Sequence, residues 1–137
     1  MTQLQLQSRT PTPEKTRKAL TEAFYNLVRH WELSRQEEAR LLGWNYPPKR
    51  ATLDAMRKGK SILEDDSDKI ERVVDLINIH KSLRILFPAP ADRGRVYTWV
   101  KTKRARFGGY SALDIMLAEG KSGIHAIRRY LDHERTR

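Results

Sequence analysis

The chain has 137 residues and a formal net charge of +10, with 27 Lys and Arg residues against 17 Asp and Glu residues. This length predicts one compact domain or two very small ones, and the positive charge favours a polyanionic partner. The lack of cysteine excludes disulfides, thiolate zinc sites and cysteine nucleophiles. The sequence contains no apolar run of the roughly 20 residues that cross a bilayer and no signal-peptide pattern, so we expect a cytoplasmic protein without a membrane partner.

Apolar residues recur at helical spacing along most of the chain, and the sequence therefore predicts an all-α fold. In chain order, the predicted helices run from 13 to 31, from Ser34 to Gly43, within 49–60, from Asp66 to Phe87, from Asp92 past Val100, from Ser111 to Ala118, and from about Gly123 to His133. Gly120 and Gly123 are predicted to bracket the turn before the last helix. Thr12 is the predicted N-cap of the first helix, and Ser34 and Ser111 are expected to cap two later ones. The helix from Asp66 is apolar on most faces and is predicted to be buried at the centre.

Prolines and alanines at 88–91 break the chain after the central helix. We expect residues 1–11 to form a flexible arm, 12–86 an N-terminal helix-turn-helix unit, and 87–137 a small helical C-terminal unit.

We do not expect this protein to catalyse a reaction. The histidines are His30, His80, His125 and His133. They lack the spacing of metal-binding pairs, and the sequence contains no glycine-rich phosphate loop and no Gly-x-Ser-x-Gly elbow. We therefore predict a binding protein with no metal, no cofactor and no catalytic residue. An enzyme that acts on a nucleotide is the weakest alternative.

The stretch 33–58 has the pattern of a helix-turn-helix, in which a capped short helix and a glycine turn precede a short basic helix. This pattern predicts binding to double-stranded DNA through phosphate contacts and base contacts. The candidate DNA-binding residues are Ser34, Gln36, Lys49, Arg50, Thr52, Arg57 and Lys58. A solvated helix face is the competing interpretation. The long turn at 44–51 leaves open which side chains meet bases.

A second basic run, 93–106, precedes Phe107-Gly-Gly-Tyr110. It is interpreted as a contact surface for a protein or for phosphates, as a tight turn between helices with a soluble rim, or as both.

Three segments resemble the Xre/MbcA/ParS-type antitoxins of bacterial type II toxin–antitoxin systems. They are Trp31-Glu-Leu-Ser-Arg-Gln-Glu-Glu-Ala-Arg-Leu-Leu-Gly43, the central helix from Asp68 to Pro88, and Phe107-Gly-Gly-Tyr-Ser-Ala-Leu-Asp-Ile-Met116 with Ala126-Ile-Arg-Arg-Tyr-Leu-Asp132. The resemblance implies a homodimer that represses its own operon and neutralises a cognate toxin, most often of the NAD-consuming RES-domain type, by covering its active site.

Carried over by motif, the resemblance also implies which residues belong to the toxin-binding part. They are Phe107, Gly108, Gly109, Ser111, Leu113, Arg128, Arg129, Tyr130 and Leu131. The basic tail, with Arg135 and Arg137, is a candidate to reach into the toxin's pocket. The alternative from another class is a stand-alone helix-turn-helix repressor whose C-terminal domain only dimerises.

Overall fold

The computed structural model describes residues 10–137, so residues 1–9 of the predicted arm lie outside the described range. Within that range the chain forms seven α-helices and no strand, which confirms the predicted all-α fold. The helices are α1 (Glu14–His30), α2 (Arg35–Leu41), α3 (Arg50–Arg57), α4 (Ser67–Leu86), α5 (Arg93–Thr98), α6 (Ala112–Glu119) and α7 (Lys121–Thr136). Short 3₁₀ turns lie at Pro90–Asp92, Trp99–Lys101 and Ala105–Phe107. No helix of the described residues has both the length and the apolar character that crossing a membrane requires.

Helix α4 is the central element, and it packs against both α1 and α7. Its residues Val73, Leu76 and Ile79 are fully buried. Truncating such an aliphatic side chain to alanine costs about 2–5 kcal/mol. Trp31 and Trp99 lie in the same core, as their helical spacing predicts. This apolar core contains residues of all seven helices and so extends across the predicted boundary at residue 87.

Two serines begin helices through reciprocal hydrogen bonds. The Ser34 hydroxyl accepts the Glu37 N–H at 3.1 Å, and the Glu37 carboxylate accepts the Ser34 N–H at 2.8 Å. Ser111 and Asp114 repeat this arrangement at the start of α6. The prediction of Thr12 as a cap is wrong, because Pro13 occupies the N-cap position of α1 without a side-chain cap.

The turn before the last helix also differs from the prediction. Gly120 is the turn residue, with φ of 64°, but Gly123 lies inside α7 rather than bracketing the turn. A Cβ added at Gly123 would lie 2.7 Å from the Ile115 carbonyl oxygen of α6. The sequence places glycine there because the two helices approach closely. At the other end α7 continues to Thr136, three residues beyond the predicted end at His133.

Candidate nucleic-acid interface and partner-binding surface

Two ion pairs join α2 to α3. Arg57 of α3 donates a hydrogen bond to Glu38 of α2, and Arg35 of α2 donates one to Asp54 of α3. Glu38 is fully buried, and Arg35 Nε lies 3.8 Å from its Oε2. A buried carboxylate stays ionised only where cations or hydrogen-bond donors surround it. The two pairs therefore fix the position of α3 against α2.

Tyr25 of α1 extends this ion-pair network into the core. Its hydroxyl donates to the Leu53 carbonyl of α3 at 3.2 Å, and the Arg57 guanidinium carbon lies 5.7 Å from its ring centroid. Burial and the neighbouring Glu38 carboxylate raise the pKa of Tyr25 above its ordinary value. The phenol therefore stays neutral, and it anchors α3 to α1 as well as to α2.

Five of the residues predicted to contact DNA are exposed: Ser34, Gln36, Arg50, Arg57 and Lys58. Of these, Gln36, Arg50 and Lys58 form no hydrogen bond or ion pair through their side chains within residues 10–137. Lys60, just beyond α3, is exposed as well and forms no ion pair in the same range. Cations in this state can exchange water and counterions for phosphate oxygens at little cost, which is the usual basis of phosphate contacts.

The other four predicted DNA-binding residues are already engaged or partly covered. Arg57 pairs with the buried carboxylate described above, and Ser34 serves as a helix cap. Lys49 places its Nζ 4.8 Å from the ring centroid of Trp44. Thr52 is half-buried on α3. These residues support the shape of the α2–α3 pair, whereas the unpaired cations present charge to solvent.

The turn between α2 and α3 is held from the central helix. Gly43 has φ of 79°, a left-handed conformation that favours glycine, and a Cβ added there would lie 3.0 Å from Arg72 Cζ. Arg72 of α4 donates to the Leu41 carbonyl at 3.3 Å. The Trp44 ring, which follows in the turn, lies 5.6 Å from Lys69 Nζ of α4. The long turn predicted from the sequence is thus anchored on its α4 side.

The second candidate surface is the turn 104–110 together with the exposed face of α7. The Arg104 N–H donates to the Tyr110 carbonyl at 3.1 Å, and the Gly109 N–H donates back to the Arg104 carbonyl at 2.9 Å. Gly108 and Gly109 have φ of 69° and 88°, so both occupy left-handed conformations that favour glycine. Their role in the predicted motif is to close this turn. In this turn Tyr110 is 60% exposed.

Arg106 connects the turn to α7. Its guanidinium donates to the Tyr130 hydroxyl at 2.8 Å and to the Glu134 carboxylate at 3.0 Å. The half-buried Phe107 ring packs edge-on against Tyr130, with 5.2 Å between ring centroids, and against Trp99 at 6.1 Å. Arg106 and the Phe107 ring together hold the turn against α7.

Three of the residues assigned to toxin binding by motif are buried: Ser111, Leu113 and Leu131. Ser111 caps α6, and the two leucines belong to the apolar core. Their place in the motif therefore has a structural reason that is separate from any partner.

The cations assigned to toxin binding lie on α7 or, for Arg137, directly after it, and three of the four are paired within the chain. The pairs are Arg128 with Asp75 at 2.6 Å, Arg135 with Asp132 at 3.9 Å, and Arg137 with Glu134 at 3.1 Å. Arg129 is exposed and forms no ion pair among the described residues. Because α7 extends to Thr136, the predicted basic tail is almost entirely helical rather than free.

The sequence reasoning missed Glu38 and Arg106. The signal for Glu38 was its register, because it stands three and four residues before Leu41 and Leu42 and so shares the apolar face of α2. An acid at such a position requires a cation, and the basic helix that follows supplies one. Nothing in the local pattern distinguishes Arg106 from its basic neighbours, because its partners Tyr130 and Glu134 are more than 20 residues away.

Among the described residues, no group of three or more His, Asp and Glu side chains could hold a metal ion. The nearest approach to such a group is His125, whose Nδ1 lies 3.4 Å from Asp75 Oδ2. Arg128 pairs with the same carboxylate, so its charge is already matched.

The described residues thus form an all-helical protein with two basic surfaces. One is the α2–α3 pair, which is fixed around the buried Glu38, and the other is the turn 104–110 together with the exposed face of α7. No family model matches the chain. The chain is similar to uncharacterized protein y4oB of Sinorhizobium fredii (strain NBRC 101917 / NGR234), with 35% identity over 114 residues, which cover 83% of this chain and 82% of that protein. The chain belongs to the same family as this rhizobial protein.

Proposed function

We propose that this protein is a cytoplasmic antitoxin that binds operator DNA through the α2–α3 pair and neutralises a toxin through its C-terminal surface. It has no catalytic activity of its own. In this proposal a homodimer represses the operon, and the toxin is of the RES-domain, NAD-consuming type. The observation that carries the proposal is the pair of short helices locked together by a buried charge network, with unpaired cations on and beside the second helix.

The DNA-binding half rests on rigidity and charge. The recognition helix of a helix-turn-helix must keep a fixed position against the helix before it if its side chains are to contact base edges. The buried Glu38 and its Arg57 partner supply that position. Arg50, Lys58 and Lys60 supply unpaired charge, and each phosphate contact contributes to affinity by counterion release. A two-fold dimer would place two such helices on a pseudo-palindromic site.

The toxin-binding half rests on the exposed part of the C-terminal surface. Tyr110, Arg106 and Arg129 are exposed there, and Tyr130 lies half-buried beside them. Tyrosine and arginine are the residue types that most often carry binding energy at protein interfaces. The fully buried motif residues would contribute by holding the turn and α7 in place.

A stand-alone repressor is the second candidate, and one observation favours it. The C-terminal helices share one apolar core with the N-terminal helices, so the C-terminal motif already has a packing role. In that case the exposed aromatic and basic residues of the turn would serve dimerisation only.

DNA binding is tested by fluorescence anisotropy with the DNA upstream of the chain's own reading frame. We expect Lys58→Ala and Arg50→Ala each to weaken binding and to lower the salt slope by about 1. Arg129→Ala removes an equally exposed cation from α7 and serves as the matched control, with unchanged binding expected. Equal effects of all three substitutions would show that net charge alone attracts the DNA and would contradict a defined interface.

Toxin neutralisation is tested by co-expression with the product of the adjacent reading frame. Co-elution together with relief of growth arrest would support the antitoxin. We expect Arg129→Ala or Tyr110→Ala to weaken the complex while Lys58→Ala leaves it intact. A toxic neighbour that is neither bound nor relieved would favour the stand-alone repressor.

A further inference from the structure

A cleft of about 820 Å³ lies between the end of α1, the C-terminal half of α4 and the segment 87–97. It includes none of the residues assigned above to DNA or to toxin. Small-molecule sites commonly measure about 300–1,000 Å³, so the cleft is large enough for a ligand of several rings or groups.

The charged side chains that line the cleft are all positive. Lys81, Arg84 and Arg93 line it, and none of its lining residues is an Asp or a Glu. Within residues 10–137 these three cations form no ion pair, unlike most cations of α7. An anion is therefore the ligand that these side chains would complement.

The positions of the three cations are unfavourable for the protein alone. Lys81 and Arg84 are three residues apart on α4, where like charges are neighbours and repel. Arg93 is the first residue of α5, where a positive charge opposes the helix dipole. A phosphate group placed among them would remove both penalties.

One wall of the cleft is made of parallel rings. The His30 ring stacks on Tyr97 with 4.5 Å between centroids and 7° between planes, and the His80 ring lies within 8° of both. Burial, and then the charges of His30 and Arg84, lower the pKa of His80, so this ring is neutral near pH 7. Ile77 and Val96 add apolar surface beside the rings. A planar heterocycle would extend such a stack.

We propose that this cleft binds a nucleotide, with its phosphates among Lys81, Arg84 and Arg93 and its base against the His30–Tyr97 stack. Inorganic phosphate would use the cations and leave the rings and the apolar wall uncovered. The nucleotide site goes beyond the proposed antitoxin function, and neither proposal depends on the other. The site is one of binding only, and no reaction is assigned to it.

The test is isothermal titration of the full chain with ATP, with tripolyphosphate as the charge-only probe and adenosine as the ring-only probe. We expect ATP to bind with one molecule per chain and at least tenfold more tightly than tripolyphosphate. Arg84→Ala and Arg93→Ala should each weaken ATP at least fivefold, while Arg129→Ala, on α7, leaves it unchanged. Both cleft arginines are exposed, so the variants are expected to fold, and a thermal melt of each verifies this.

The contribution of the stacked His30 and Tyr97 rings to ATP binding is measured separately. His30→Ala should weaken ATP binding several-fold and leave tripolyphosphate binding unchanged, because only the base meets the ring. The proposal is overturned if ATP shows no saturable binding, if tripolyphosphate binds as tightly as ATP, or if Arg84→Ala behaves like Arg129→Ala. Tighter binding of a polyglutamate peptide than of ATP would also overturn it, since the cleft would then suit an acidic protein segment.

Discussion

The α2–α3 pair and the C-terminal surface both contain several arginines bound to carboxylates, but the carboxylates differ in exposure. In the α2–α3 pair the central acid, Glu38, is fully buried. On the C-terminal surface Arg106 and Arg137 share Glu134, which is 16% exposed, and Arg135 approaches Asp132, which is 44% exposed. Arg128 is the exception there, because it pairs with the buried Asp75 of α4. The same ion-pair chemistry therefore has different consequences in the two regions.

A buried carboxylate that loses its cation cannot regain water, so its ion pair fixes structure. An exposed pair exchanges readily with water or with a partner's charges and contributes little to stability. The comparison suggests a division of roles: the α2–α3 pair is a rigid element, and the charges of the C-terminal surface, apart from Arg128, are available for exchange. Stability measurements on matched variants test this division directly.

The largest expected effect is that of Arg57→Ala, which removes the cation bonded to Glu38. A fully buried pair that loses one partner costs roughly 3–5 kcal/mol. We expect about 2 kcal/mol for this pair, because the Arg57 side chain is 38% exposed and Arg35 remains 3.8 Å from the acid. Urea denaturation measures the loss.

The control for this substitution is the double variant Arg57→Ala with Glu38→Gln, which removes the buried charge as well. It should recover part of the stability lost by the single variant, since a neutral amide is less costly to bury. A single variant within about 0.5 kcal/mol of the parent, the range of ordinary surface substitutions, would contradict the rigid-element interpretation.

The packing of α6 on α7 depends on close backbone approach rather than on an ion pair, and Gly123→Ala tests that contrast. The added Cβ would lie 2.7 Å from the Ile115 carbonyl oxygen and 3.0 Å from the Glu119 Cβ. We expect a loss of about 1–2 kcal/mol, as for other overpacked sites. Gly94→Ala is the matched control, because nothing lies within 4 Å of its added Cβ, and it should stabilise the protein by about 0.5 kcal/mol. Destabilisation of equal size in both variants would show that close approach is not the cause.

The lowered pKa of His80 on α4 predicts a smaller, pH-dependent effect on stability. The unfolded chain binds the proton more readily than the folded chain, so stability is fully present above the ordinary histidine pKa of roughly 6.5 and falls as the pH drops below it. His80→Phe keeps a ring in the stack and should flatten the loss between about pH 7 and pH 5. His133→Phe removes an exposed histidine and should leave the loss unchanged, as measured by thermal unfolding at each pH. An identical pH profile for both variants would contradict the assignment to His80.

Much of the fold follows from local patterns in the sequence. The capping pairs at Ser34 and Ser111 and the apolar spacing of α4 predict helix positions to within a few residues, because both signals act between neighbours along the chain. Gly123 was interpreted as a turn residue, since glycine frequently ends helices and its close contact with Ile115 comes from tertiary packing. The extent of α7 beyond His133 had no apolar residue to indicate it.

The candidate sites were less predictable, because their geometry depends on pairs that are distant in sequence. Local charge identified the basic helix α3, but it could not separate Arg57, which meets buried Glu38, from Lys58, which does not. The cleft lined by Lys81 and Arg93 brings together α4 and the segment after its break. Composition gave the number of cations; only the fold shows which have carboxylate partners.

The smallest expected effect on stability is that of Arg106→Ala on the C-terminal surface. Its guanidinium is exposed and bonded to Tyr130 and Glu134, so water replaces it readily, and we expect no resolvable change in the urea midpoint. The same substitution should weaken the complex with the proposed toxin, since it removes an exposed guanidinium from the surface that the partner meets, while Glu134 keeps Arg137 and the Tyr130 hydroxyl as partners. Lys58→Ala on α3, which removes an exposed cation that has no ion-pair partner among the described residues, is the control for lost charge alone. A clear drop in the urea midpoint for Arg106→Ala would mean that exposed pairs fix the 104–110 turn as firmly as Glu38 fixes α3, and the two regions would then not differ in kind.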